Sequence, residues 1–189
     1  MLTTMKKLSM LPMLLFCLNV SAQTLNANWQ ENLDKSLEGF VKCTKTAESA
    51  ALCYRFSGES VQKVYGINDF FDKSKQRYML INEIYAYLQS NSEWTLLGKG
   101  YDQDALRKSQ ERANAGKAVI AIKMREGEEY GHMAIILPGE LGPSGSWGLR
   151  VPNSASFFTH QPDRSFVNKT ISYAFSASDR GYVMLYGHK

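Results

Sequence analysis

Two hydrophobic periodicities divide the chain. From residue 28 to residue 114 apolar residues recur at helical spacing, and from residue 118 onward they fall in short continuous runs. In 28–42, Trp29, Leu33, Leu37, Phe40 and Val41 share one helix face, with Glu31, Asp34, Lys35 and Glu38 elsewhere. Ser49 has the chemistry of an N-cap for a second helix, whose buried side reads Leu52, Phe56, Val61, Val64 and Tyr65 and which Gly66 can close. Residues 68–76 are polar and read as a loop. A third helix spans 78–88, with Met79, Ile81, Ile84, Tyr85 and Leu88 inward. Residues 91–100 read as a connection, although they hold Trp94, Leu96 and Leu97. Asp102 can cap a fourth helix that runs to Asn114, with Ala105, Leu106 and Ala113 inward and its many charges in solvent.

After Gly116 the period changes. Residues 118–122 are a buried strand, 125–131 a polar loop, and 132–137 a second strand that Pro138-Gly139 ends, so the two form an antiparallel hairpin. Residues 147–151 read as a third strand, stopped by Pro152. The mixed stretch 157–168 reads as loop, and 171–175 and 182–186 supply further strands. Helices come first and strands last. The pattern predicts an α+β fold, with N-terminal helices packed on a C-terminal antiparallel sheet.

The first residues change the picture of where the protein works. Lys6-Lys7, a mostly apolar stretch over 8–18 and the small residues Val20-Ser21-Ala22 form the pattern of a secretory signal over residues 1–22. The apolar stretch is short for a membrane span. Residues 23–189 then form a single domain, exported as a secreted or periplasmic protein. Removing the signal takes Lys6, Lys7 and Cys17 with it. The formal charge of +4 falls accordingly, too weak to indicate nucleic acid as a partner, and two of the three cysteines remain, Cys43 and Cys53. In an oxidising compartment this pair, ten residues apart, can form a disulfide.

Metal and cofactor chemistry find little support. His132, His160 and His188 are far apart, with no i,i+4 histidine pair and no Cys-X-X-Cys, and no phosphate-cradling glycine loop or dinucleotide fingerprint is present. A Cys–His pair is better supported. His132 opens a strand directly after Gly131, a rigid position near solvent that suits a general base. Cys43 falls at the end of the first helix and Cys53 near the start of the second. The partial positive charge of a helix N-terminus favours thiolate, which makes Cys53 the better nucleophile. A third polar group orients the imidazole in such sites. Asn153, just past the 147–151 strand, is the expected one, with Ser154 as the alternative.

The order of these segments carries a resemblance. Leu52-Cys53-Tyr54-Arg55-Phe56 opens a helix. Later come Gly131-His132-Met133-Ala134-Ile135-Ile136-Leu137-Pro138-Gly139 and Ser146-Trp147-Gly148-Leu149-Arg150-Val151-Pro152. The arrangement resembles the papain-like cysteine peptidases and amidases that cut bacterial cell-wall peptides, the NlpC and CHAP group. Many members place Cys-Ser-Gly, or Asn before the Cys, at the nucleophile; here Ser57-Gly58 come later. The resemblance implies a papain-like cell-wall hydrolase architecture and a cysteine hydrolase cleaving amide bonds in peptidoglycan stem peptides or cross-links. Cys53 would be the nucleophile, His132 the base and Asn153 the third residue, with no metal and no organic cofactor. A monomer is expected, and an enzyme serving as a toxin would need an immunity protein as partner. The competing reading is a non-catalytic envelope-binding protein, stapled by a Cys43–Cys53 disulfide, with Trp147, Phe157 and Phe158 lining a groove.

Overall fold

The computed structural model describes residues 25–48, 50–125 and 131–189. The expected signal segment, the proposed cap Ser49 and most of the polar loop before Gly131 lie outside them. Four α-helices stand among the described residues: α1 (Trp29–Thr46), α2 (Arg55–Tyr65), α3 (Ile81–Ser90) and α4 (Gln103–Asn114). A 3₁₀ turn, Ala50–Tyr54, leads directly into α2, and Gly66 ends that helix with a left-handed φ of 71°. Asp102 caps α4 as expected, its carboxylate accepting from the Asp104 and Ala105 N–H groups at 2.9 and 3.3 Å. The third helix starts at Ile81 rather than residue 78. Glu83 explains the shift: its carboxylate accepts from the Leu80 N–H at 2.8 Å and from both terminal nitrogens of Arg77 at 2.7 and 2.8 Å. That grip fixes residues 77–80 as an entry to the helix rather than its first turn.

Among the described residues the main sheet has six strands: β3 (Trp94–Lys99), β4 (Val119–Lys123), β5 (His132–Ile136), β8 (Asn153–Ser156), β9 (Phe166–Thr170) and β10 (Val183–His188). Their order is β3-β10-β4-β5-β8-β9, and every neighbouring pair is antiparallel. The fold is α+β, as the sequence implies. Two small hairpins flank the sheet: β1 (Phe71–Asp72) with β2 (Arg77–Tyr78), and β6 (Gly142–Ser144) with β7 (Leu149–Val151).

Several expectations about the strands are corrected. Residues 94–99 form an edge strand. Exposed Leu96 and Gly98 break its alternation, which hides it in the sequence. The 68–76 loop carries part of a hairpin. Residues 149–151 pair with β6 and not with β5; the strand beside β5 is β8, immediately after Pro152. The stretch read as loop over 157–168 runs into β9. Ile171–Tyr173 is a 3₁₀ turn instead of a strand.

Both faces of the sheet are covered. On one, Ala118, Ile120, Ile122, Met133, Ile135, Leu137 and Tyr186 pack with residues of α1, α2 and α3, and Cys53 belongs to this layer. On the other, Val119, Ala121, Ala134, Ile136, Val183 and Leu185 pack with Ala105, Leu106 and Ala113 of α4 and with Trp147, Phe166 and Phe175. Strand side chains alternate between faces, so β4 and β5 must be apolar at every interior position. That requirement is the source of the continuous runs in the sequence.

A disulfide joins Cys43, near the end of α1, to Cys53, just before α2. Such a cross-link fits a compartment more oxidising than the cytosol. No helix among the described residues is long and apolar enough to cross a membrane. At the far end of α2 the buried Tyr65 hydroxyl donates to the Ile136 carbonyl at 2.5 Å and so pins the helix to the last residue of β5. Tyr65→Phe should cost about 1–2 kcal/mol by leaving that carbonyl short of a partner, measured as a lower urea midpoint with an unchanged slope.

Candidate functional site

The direction of α2 brings two parts of the chain together. Tyr65 is fixed at the Ile136 end of β5. Phe56, in the first turn of α2, lies 5.8 Å from Phe40, whose ring packs 5.3 Å from Phe157, just past the Ser156–Ala134 pair, so the start of the helix lies toward the His132 end. Gly131 holds that end tightly. A Cβ there would meet the Lys123 carbonyl at 2.8 Å and the Ile81 Cγ2 at 2.9 Å, so the residue before His132 has no room for a side chain.

Cys53 and His132 therefore share one end of the sheet, but they do not form a pair. The Cys53 sulfur is bonded to Cys43, fully buried, and not a thiol. His132 shares strand parity with Ala134 and Ile136, which places its ring on the face opposite the layer holding Cys53. Consecutive phenylalanines repeat the separation. Phe157 packs against Phe40 in the layer of Cys53, their centroids 5.3 Å apart, while Phe158 lies against the His132 ring at 4.2 Å. In this oxidised arrangement the expected thiolate–imidazole nucleophile is not assembled.

The third residue also differs from expectation. Asn153 uses its side-chain amide to donate to the Pro138 carbonyl at 3.0 Å and to the Asn168 side chain at 3.1 Å, which fastens the turn after β5. Ser154 donates to the Lys169 carbonyl at 2.9 Å. The residue on the imidazole is Ser156, whose Oγ lies 2.8 Å from His132 Nε2. Sequence reasoning misses it because β8 is composed of small, mostly polar residues that carry no hydrophobic run. The available signal is the alternation of Ser154 and Ser156 about buried Ala155, directly before two phenylalanines.

Ser156 also determines the state of the ring. Its hydroxyl donates to the Met133 carbonyl at 2.9 Å. A hydroxyl has one proton, so toward His132 it presents lone pairs and accepts from Nε2–H. The Nδ1 lone pair is then left as the ring's acceptor, with no protein partner among the described residues.

His132 lines a cleft of about 360 Å³ with Phe158, Phe175, Lys123, Arg164 and Asp179. Burial pushes the imidazole down to about 3, and the nearby Lys123 and Arg164 charges act in the same direction while Asp179 opposes them. The ring is neutral at physiological pH. Asp179 accepts from Arg125 at 2.7 Å and lies 3.4 Å from the Lys123 ammonium, which ties the 3₁₀ turn Ala177–Asp179 to the end of β4. Among the described residues no three or more His, Cys, Asp and Glu side chains converge as a metal site would require.

Comparison with protein-family models gave no match, and comparison with curated protein sequences gave none. Functional inference therefore rests on the residues themselves.

The His132 ring yields two measurable expectations. In ¹⁵N spectra it should show a protonated Nε2 and a bare Nδ1 at neutral pH, and Ser156→Ala should weaken that preference toward the mixture of an unconstrained neutral histidine. Its folded-state value lies below the ordinary histidine value of about 6.5, so the unfolded chain takes up its proton first. Its contribution to stability is complete above about pH 6.5 and is lost as the pH falls toward 3. Urea midpoints measured across that window should fall with acid in the wild type and less so in His132→Gln.

Proposed function

We propose that the chain is an exported cysteine hydrolase acting on amide bonds of cell-wall peptides, present here in a disulfide-closed resting form. The observation that carries this reading is the His132 imidazole, held by Ser156 in one tautomer with a free Nδ1 lone pair. A general base requires that preparation, and it is found at the end of the sheet where the helix bearing Cys53 begins. The papain-like order of helix, histidine strand and orienting strand supports the same assignment, with Ser156 in the place first expected of Asn153.

Opening the resting form requires a dithiol reductant. Its thiolate attacks the sulfur of Cys43, which is half-buried where Cys53 is fully buried. Cys53 leaves as thiolate, favoured by the helix start that follows it. The reductant's second thiol then attacks the mixed disulfide and frees Cys43, so the reductant leaves as a disulfide. For catalysis the freed Cys53 segment moves to the side of the sheet that His132 faces. The ring keeps its Ser156 bond and takes up one proton from solvent as the thiolate approaches, and the sulfur of this ion pair attacks the amide carbonyl. The imidazolium gives its proton to the leaving amine, and water, deprotonated by His132, releases the acyl group.

The second reading is a non-catalytic envelope-binding protein. It is favoured by the bridge itself, which consumes the nucleophile and joins α1 to α2. Digestion of purified peptidoglycan separates the two readings. Fragment release should be near background for oxidised wild type. It should rise by at least about 100-fold for reduced wild type and for Cys43→Ser, consistent with restoring a missing nucleophile–base pair. Cys53→Ala and His132→Ala should stay at background under both conditions. Folded, reduced wild type and folded Cys43→Ser that both release nothing would overturn the hydrolase reading in favour of the stapled binder.

A further inference from the structure

We propose that the His132 cleft is a binding site for the free C-terminal carboxylate of a short peptide and that it is competent with the disulfide intact. The site shares His132 with the hydrolase reading but makes no use of Cys53.

Three features of the cleft select the ligand. Arg164 is exposed, lies over the Phe158 ring at 4.8 Å, and is held by one terminal nitrogen donating to Gln161 Oε1 at 2.7 Å. No carboxylate among the described residues pairs with it, so the rest of its donor fork faces solvent at the cleft, in the geometry that grips a carboxylate through two parallel bonds. Among the described residues the charged groups lining the cleft are Lys123, Arg164 and Asp179, two cations to one anion. An anionic group is favoured there over a cationic one.

The third feature narrows the anion. His132 stays neutral and presents the Nδ1 lone pair, an acceptor that a bare anion cannot use. A matching ligand carries an N–H donor close to its carboxylate. The last residue of a peptide has that combination, with the carboxylate for Arg164 and the amide N–H for Nδ1. The Phe158 and Phe175 rings, both against His132, give a small apolar side chain a wall to pack on. At about 360 Å³ the cleft is at the small end of ligand sites, enough for one or two residues and not for a long chain.

The experiment uses oxidised full-length mature protein, in which no turnover is expected, so the result stands apart from the hydrolase test. N-acetyl-alanyl-alanine, in its L,L and D,D forms, is titrated while the His132 ring nitrogens and the Phe158 and Phe175 resonances are followed by NMR. The matching C-terminal amides and inorganic phosphate are titrated in parallel. The free acid of at least one stereoisomer should saturate and shift Nδ1, with the amide and phosphate at least about tenfold weaker. Arg164→Ala should weaken the acid by about tenfold or more and bring it level with the amide, while Arg164→Lys recovers only part of the loss. Phosphate binding as tightly as the peptide acid would reduce the site to a general anion patch and overturn the proposal. Equal binding of acid and amide, shifts that map away from the cleft, or no binding would also overturn it.

Discussion

The pairing of β4 with β5, apolar on both faces, is the constraint on which the rest depends. Each of its interior residues is buried, and each side of the pair holds a separate packed layer. Slipping β5 by one residue would exchange those layers and move every side chain to the other face. The same constraint decides where the chemistry can happen. His132 is the first residue of β5, and Ala134 and Ile136 of the same parity are committed to the layer of Trp147 and Phe175. Its ring therefore enters the cleft on that side, although the helix bearing Cys53 is on the other. A short loop histidine could face either way, but one at the mouth of a two-faced strand has its starting direction set by the core.

This explains how much of the molecule was legible beforehand. The helices were readable because each buries one stripe and exposes the rest, as Leu33 and Phe40 of α1 and Ala105 and Leu106 of α4 do. The β4–β5 hairpin was readable because both its strands are continuous apolar runs. What was not readable has a common cause. In β3, β8 and β9 the burial depends on neighbours distant in sequence. Ser154 and Ser156 are buried because each hydroxyl finds a backbone carbonyl, Lys169 for one and Met133 for the other. A pattern of apolar residues cannot register a strand whose interior is satisfied by hydrogen bonds.

The site was legible to the same extent. The position of His132 at a strand start follows from local sequence, and so does the nearness of Cys53 to a helix start. Whether the two side chains meet depends on which face of a two-faced sheet the helix covers. Apolar periodicity carries no such information when both faces are equally apolar. Asn153 does lie on the strand beside β5, but the antiparallel register sets it at the Leu137 end and brings Ser156 to the His132 end, which apolar periodicity does not reveal.

The disulfide and the low proton affinity of His132 are parts of one electrostatic arrangement. With the sulfur bonded to Cys43, no thiolate stands near the ring, Asp179 offsets the cations only in part, and burial beside Lys123 and Arg164 leaves it neutral. An imidazole so far below the usual histidine range is a poor base toward any neutral thiol or water. A thiolate beside it would reverse this balance, since an opposite charge a few ångströms away raises a histidine's proton affinity as effectively as the present cations lower it. Under the hydrolase reading the bridge thus suppresses both members of the pair at once: it removes the nucleophile and withholds the charge that would make the histidine basic. Under the binding reading the same neutrality has its own use, because only an unprotonated Nδ1 can accept a hydrogen bond from a ligand held by Arg164. Both readings therefore use a His132 ring oriented by Ser156, and they differ in whether the sulfur is ever released.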